Sequence, residues 1–207
     1  MNYSILRQEE YAALQKVELH GLVLDVGGSK KSGYHNIVSG KNSFHVINLD
    51  ENCEPDTFVD LEKKFPFDDE QFDHSLCLNV LEHIFNFENM FSEQVRCIKN
   101  KGYLVMATPF MHHIHGSPDD YLRYTQSSYR RLAEKNNCTI ISITPLGFGF
   151  CSLMFQIVGG SFPTNTIRQI CKYFSITMDM FLNKISKKYR KLTEIIPLGY
   201  FVIMQKN

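Results

Sequence analysis

Short apolar runs recur along the chain, and most are separated by stretches with helical spacing. Leu22–Val26 reads as a buried strand that stops at Gly27-Gly28, and Ser43–Leu49 as a second that stops at Asp50. Phe72–Leu78, Tyr103–Ala107 (closed by Thr108-Pro109) and Thr139–Thr144 have the same character. Between them, Asn86–Asn100 and Gln126–Asn136 carry helical periodicity, the second behind the capping candidate Thr125. Ser4–Lys16 reads as an amphipathic helix with Ser4 as its N-cap. Strands alternating with helices predict a mostly parallel sheet covered on both faces.

The last quarter breaks this rhythm. Phe148–Phe162 is apolar and glycine-bearing, Thr166–Lys188 is helical in pattern, and a final strand, Gly199–Gln205, follows Pro197. The pattern predicts a single domain: a core over 17–147, a helical insertion or lid over 148–196, and a closing strand within 197–207. Between Ser161 and Asn207 eight Lys/Arg face two Asp/Glu, whereas Asp50–Asp73 holds ten acidic residues against Lys63 and Lys64. Such asymmetry marks a surface turned to a membrane or a partner, or simply a solvated helical face. An acceptor lid and a dimer contact are the other roles open to the insertion.

Composition narrows the function. The 207 residues balance 22 Lys+Arg against 22 Asp+Glu, which removes the basic excess that bulk phosphate attraction requires and with it a nucleic-acid partner. Six cysteines, scattered and without a CxxC pair, read as buried free thiols in a reducing compartment. The amino terminus has neither the basic start nor the apolar stretch of a signal peptide, so a cytoplasmic location is expected. The insertion allows an interfacial contact at the inner face of the membrane.

Chemistry gathers at the strand ends, where open parallel sheets hold their ligands. Gly27-Gly28 lets the backbone turn and approach a ligand closely. Asp50 ends the second strand, where a carboxylate can accept from both hydroxyls of a ribose. Asp60-Leu61 precedes Phe65-Pro66-Phe67, beside where an adenine would lie, and Asn79 ends the next strand. Gly27, Gly28 and Gly33 lack the spacing of a dinucleotide fingerprint, and no phosphate-binding P-loop is present.

Val23-Leu24-Asp25-Val26-Gly27-Gly28, Asn48-Leu49-Asp50, Phe65–Asp73 and Leu78-Asn79-Val80-Leu81-Glu82-His83-Ile84 together resemble the signature series of class I S-adenosylmethionine-dependent methyltransferases. The resemblance spans about residues 20–145 and is nearest to the small-molecule and glycan-type branch. It departs at the glycine loop, where Ser29-Lys30-Lys31-Ser32 stands before Gly33 in place of an early third glycine. It implies a Rossmann-like, mostly parallel seven-stranded sheet with an antiparallel last strand. The implied cofactor is S-adenosyl-L-methionine, leaving as S-adenosylhomocysteine. Gly27 and Gly28 would pass the amino-acid part, with Asp25 near its ammonium. Asp50 would hold the ribose, Asp60 and Leu61 the adenine, and Asn79 the methionine moiety.

The segment Pro109–Thr125 is dense in chemistry: three histidines, two aspartates, two tyrosines and an arginine. It resembles a stretch found in methyltransferases encoded with surface-glycan enzymes, and it should overhang the same crevice. A hydroxyl acceptor must lose a proton, so His115 is the expected base, oriented by Asp119 or Asp120. His112, Asp120, Tyr121 and Arg123 are the expected acceptor contacts, Tyr121 by stacking and Arg123 through its fork. Internal pairing of Arg123 with Asp119 or Asp120 is the alternative. Adjacent histidines tend to point apart and no thiolate lies near, so no metal is expected at His112, His113 and His115. Asn79-Val80-Leu81-Glu82 replaces the motif typical of base-amine and glutamine methylation, which favours a sugar, nucleotide-sugar or glycan hydroxyl. Another small metabolite, or a non-catalytic binding or assembly role for the same fold, is the alternative.

Overall fold

The computed structural model describes residues 3–116 and 118–207. Helix α1 (Ile5–Leu14) starts behind Ser4, whose Oγ accepts from the Arg7 amide at 3.1 Å, as the sequence predicts. Strands β1 (Gly21–Val26), β2 (Asn42–Asn48), β3 (Thr57–Phe58) and β4 (His74–Leu78) follow, then α2 (Phe87–Cys97) and β5 (Tyr103–Pro109). Next come α3 (Gln126–Lys135), capped by Thr125, β6 (Cys138–Leu146), α4 (Phe150–Val158) and α5 (Asn165–Ile185). Two single turns, α6 (Lys187–Arg190) and α7 (Leu192–Ile195), lead into β7 (Gly199–Lys206).

The seven strands form one sheet in the order β3-β2-β1-β4-β5-β7-β6. Pairing is parallel from β3 to β5 and antiparallel on both sides of β7, which is the Rossmann-like arrangement expected. Because side chains alternate along a strand, Leu24 and Val26 bury against Met90 and Phe91 of α2 and Tyr129 of α3. Val23 faces the other way, into a second core with Ile5 and Leu14 of α1 and Leu153 of α4. Both faces of the sheet are thereby closed.

Two departures from the sequence pattern matter for the site. No α-helix covers the link from β1 to β2; only a 3-10 turn, Tyr34–Ile37, stands there behind a left-handed Gly33 (φ 73°). Side chains of that turn are drawn inward by Asp25, which accepts from the Tyr34 hydroxyl at 2.6 Å and meets His35 Nε2 at 2.7 Å. The second departure is α5, which is turned inside out. Its buried residues are Lys172 and Asp179, while Ile170, Phe174, Phe181 and Ile185 are each more than half exposed. Asp179 accepts from the amides of Cys151 (2.9 Å) and Ser152 (2.7 Å), so a carboxylate of α5 caps the amino-terminal end of α4. Lys172 and Asp179, with the partly buried Cys171 and Ile176, hold this helix to the protein, and an apolar stripe faces out.

None of the six cysteines is in a disulfide; Cys77, Cys97 and Cys138 are buried and Cys53, Cys151 and Cys171 half-buried. The lysines of the glycine loop answer part of the acidic 50–73 segment: Lys30 pairs with Asp56, and Lys31 with Glu54 at 3.2 Å.

Candidate functional site

The strand order reverses direction between β1 and β4, and in such sheets the crevice outside the carboxyl ends opens at that point. A crevice of about 310 Å³ opens there. Gly27 after β1, Asn48 and Leu49 at the end of β2, Asp60 and Leu61, and Asn79 after β4 all border it. Five expected cofactor residues, Gly27, Asp60, Leu61, Asn79 and the closely neighbouring Gly28, are thus gathered at one place. Pro118, Asp119 and Tyr121 overhang it, as expected of their loop.

The glycine pair has a structural cause as well as a site. Gly27 holds φ at 69°, and a Cβ there would meet Val80 Cγ1 at 2.5 Å. At Gly28 a Cβ would fall 2.0 Å from Asp25 Oδ2. Asn48, absent from the expected set, donates its amide to the carbonyls of Gly27 (3.0 Å) and Gly28 (2.9 Å) and accepts from the Asp50 amide (3.0 Å). Its position next to Leu49-Asp50 was visible in the sequence; its reach across to another strand end was not.

Asp25 and Asp50 are each engaged by neighbouring groups of the chain. Asp25 has no exposed surface, and its Oδ2 is taken by Tyr34 and His35, so the carboxylate shapes the loop from beneath. Burial of the Tyr34 phenol, and then the neighbouring Asp25 carboxylate, hold its pKa far above the usual range, so that Tyr34 acts as a donor. Asp50 is exposed, caps the turn Glu51–Cys53 and accepts from the amide (2.9 Å) and side chain (2.8 Å) of Asn52. These bonds lower its pKa; it follows Leu49, which is in the crevice wall, but does not itself line the crevice. Asp60 accepts from Lys63, which lowers its pKa, and keeps its place in the wall.

Asn79 adopts a left-handed backbone (φ 54°), unusual for a residue with a side chain, and donates its amide to Glu10 Oε2 at 3.0 Å. It borders the crevice on one side and, on the other, a chamber of about 120 Å³ with Ser4, Glu10, His112 and His115. Ser4 and the adjoining His113 also border an outer cavity of about 450 Å³ against α4 and α5. Glu10 reaches this site from α1 and could not be placed by any local motif. It is buried, which raises its pKa, and its Oε1 has no hydrogen-bond partner among the described residues.

Arg123 takes up the internal alternative. Its guanidinium grips Asp120 with both ends (Nη2–Oδ2 2.6 Å) and also donates to the carbonyls of Leu122 and His113. This holds the Asp120 carboxyl well below the usual range. Asp120 in turn accepts from the His115 amide at 2.8 Å, so the pair shapes the histidine loop. Tyr121 donates its hydroxyl to Asp119 at 3.0 Å, and its ring meets Phe85 edge-on at 5.5 Å. The two rings of His112 and His115 stand 4.8 Å apart on the chamber wall, and burial lowers the pKa of each. His115 directs Nδ1 to the His113 carbonyl (3.3 Å) and to Asp120 (3.3 Å), and Nε2 towards Glu82 (3.8 Å).

The sheet is doubly wound, with a crevice at its switch point and a smaller chamber beside it. Residues 37–106 match the family model described as a methyltransferase domain. No curated protein matches the chain. Among solved structures, geranyl diphosphate C-methyltransferase from Streptomyces coelicolor A3(2), in complex with Mg2+, geranyl diphosphate and S-adenosyl-L-homocysteine, is 13% identical. The match covers 98% of this chain and 77% of that one, with a TM-score of 0.59. Phosphoethanolamine N-methyltransferase 2 of Haemonchus contortus, in complex with S-adenosyl-L-methionine, is 16% identical over 95% of this chain and 52% of that one (TM-score 0.59). The [4+2]-cyclase SpnF, at 13% identity, 95% and 78% coverage and TM-score 0.59, shares the fold under a different named reaction. Likeness at this distance speaks for the fold, and the domain match carries the class. The domain match over residues 37–106, on this fold, supports S-adenosylmethionine-dependent methyltransferase activity with S-adenosylmethionine as the cofactor.

Proposed function

We propose that the protein transfers a methyl group to a hydroxyl of a small saccharide-type acceptor, a sugar, nucleotide-sugar or glycan intermediate. The observation that carries this reading is Asn79, which forms part of the wall of both the crevice and the chamber. With the cofactor in the crevice and the acceptor entering from the outer cavity, the two meet at this residue. In this reading Gly27, Gly28 and Asn48 cradle the amino-acid part, and Leu49, Asp60 and Leu61 the nucleoside. Asp50, next in the chain to Leu49, meets the ribose.

Methyl transfer needs the acceptor oxygen in line with the carbon–sulfur bond, and positioning supplies much of the rate. The chamber bears Ser4, Arg7, Glu10, Asn79, His112 and His115, a polar lining suited to several hydroxyls at once. Glu10, with Oε1 unpartnered among the described residues, is the carboxylate placed to accept the hydroxyl proton. To test the acceptor class, the protein is incubated with methyl-labelled S-adenosylmethionine and a panel of nucleotide sugars, free saccharides and small amines. Label in a saccharide ether is expected. Transfer to the amines alone, or to nothing in the panel, contradicts it.

We propose further that α5 seats the enzyme on an anionic membrane surface. The outward stripe of Ile170, Phe174, Phe181 and Ile185 is bordered by exposed Lys184, Lys187, Lys188, Arg190 and Lys191. Apolar side chains rimmed by cations suit the boundary between acyl chains and acidic headgroups. Among the described residues no helix is long and apolar enough to cross a membrane, so the contact is interfacial.

A further inference from the structure

We propose that Glu82, His83 and His115 form a binding site for a divalent transition-metal cation between the cofactor crevice and the acceptor chamber. Sequence reasoning looked for metal only among the neighbouring histidines of one loop. The structure instead joins one of them to the turn Leu81–His83 that follows β4. One donor atom from each of the three residues lies within 4.8 Å of the others.

Glu82 is the first observation. Its side chain has no exposed surface, and neither carboxylate oxygen has a hydrogen-bond partner among the described residues. A carboxylate removed from water without donors is costly, and buried acids are nearly always paired or bound to a cation. Among the described residues no Lys or Arg pairs with it: the Arg123 charge acts on it only from beyond pairing distance, its guanidinium being held by Asp120, and two imidazoles face it. His83 Nε2 lies 3.6 Å from Glu82 Oε1 and His115 Nε2 lies 3.8 Å from the same atom.

The second observation is the outward side of each ring. His83 Nδ1 stands 2.6 Å from the Asp119 carbonyl oxygen. His115 Nδ1 stands 3.3 Å from the His113 carbonyl oxygen and 3.3 Å from Asp120 Oδ2. These partners only accept, so the network assigns the ring proton to Nδ1 in both residues. Both Nε2 lone pairs then converge on an acid that itself lacks a donor among the described residues. Histidines that bind metals have this form, with the far N–H held by a carbonyl or carboxylate.

Distances favour an ion over a shared proton. Gaps of 3.6 and 3.8 Å exceed hydrogen-bond reach. Donors about 2.1 Å from one ion stand roughly 3.0–3.4 Å apart, so a small inward movement completes the set. Two imidazoles and one carboxylate leave coordination positions open, the form of a catalytic ion, and the nitrogen donors favour first-row transition metals over Mg2+ or Ca2+.

His83 borders the crevice and His115 the chamber, so the open positions face the point of transfer. Resting on the methyltransferase reading above, an acceptor hydroxyl bound there would be acidified and release its proton to the Glu10 carboxylate of the same chamber. Its oxygen would then form the bond to the methyl carbon as the carbon–sulfur bond breaks and S-adenosylhomocysteine departs. His115, the base expected from sequence, serves here as a ligand.

The test needs no turnover. Chelator-stripped full-length protein is dialysed to equilibrium against Mn2+ and, separately, Zn2+, and bound ion is measured by elemental analysis. One equivalent is expected for the wild type and for His113→Ala, whose ring lies outside the set. Affinity should fall at least about tenfold in Glu82→Gln and in His115→Ala. Circular dichroism confirms that each variant is folded, and the near-isosteric glutamine guards against a merely disruptive change. Absence of uptake of both ions by the wild type, or uptake equal in Glu82→Gln and His115→Ala, overturns the site. S-adenosylhomocysteine binding to the stripped protein is read separately, so failure of the ion site and failure of the cofactor site are distinct results.

Discussion

Gly28→Ala is expected to lower both the stability of the fold and its affinity for the cofactor. The new Cβ would fall 2.0, 2.3 and 2.5 Å from Oδ2, Cγ and Oδ1 of Asp25. Asp25 cannot swing aside, because it has no exposed surface and is held by Tyr34 and His35 at 2.6 and 2.7 Å. Overpacking against a fixed group costs about 3 kcal/mol, which for a chain of this size lowers Tm by roughly 10 °C. Because Gly28 leads straight out of the crevice wall at Gly27, affinity for the cofactor should fall with it. Asp25→Ala in the same background removes the obstruction, so the double variant should lose less stability than the sum of the two singles. Thermal unfolding of the four proteins measures both effects. A Gly28→Ala protein that melts with the wild type would mean that the carboxylate does not sit under the loop.

The second large effect is expected on membrane association. Wild-type protein should co-float with vesicles of phosphatidylcholine and phosphatidylglycerol and stay behind with phosphatidylcholine alone. Each cation near the anionic surface adds about 1 kcal/mol. Replacing Ile170, Phe174 and Phe181 by Glu puts three charges into the apolar stripe and should reduce flotation at least about tenfold. The fold should survive, since these side chains are exposed and the helix is anchored through Lys172 and Asp179 on its other side. Failure of the wild type to float, or flotation equal in the triple variant, would refute the membrane contact. So would a wild-type dimer that the same substitutions split, because a second copy would then cover the stripe.

What the sequence disclosed follows the range of the forces involved. Ser4 and Thr125 were legible as caps because a cap bonds an amide three residues away. The strands were legible because burial on both faces leaves continuous apolar runs. The two-residue β3 leaves no such run, and the 3-10 turn at Tyr34 depends on a carboxylate nine residues back. The same distance effect governs the site. Gly27, Asp60, Leu61 and Asn79 could be found at strand ends, whereas Glu10 and Asn48 enter through contacts 69 and 20–21 residues away. Asp25 belongs to a recognisable motif, yet a motif does not reveal on which side of the loop its carboxylate lies. Helix α5 was legible as a helix; which face turns inward is decided by Asp179, whose carboxylate caps another helix.

Calorimetric titration of S-adenosylhomocysteine into the protein bears most directly on the account. Saturable heat at one ligand per chain is predicted, weakened strongly when Leu61, in the wall between Asp60 and Glu62, is replaced by Arg to fill the crevice. If millimolar ligand gives no heat, or if the arginine variant binds as well as the wild type, the nucleoside does not lie between the ends of β1 and β4.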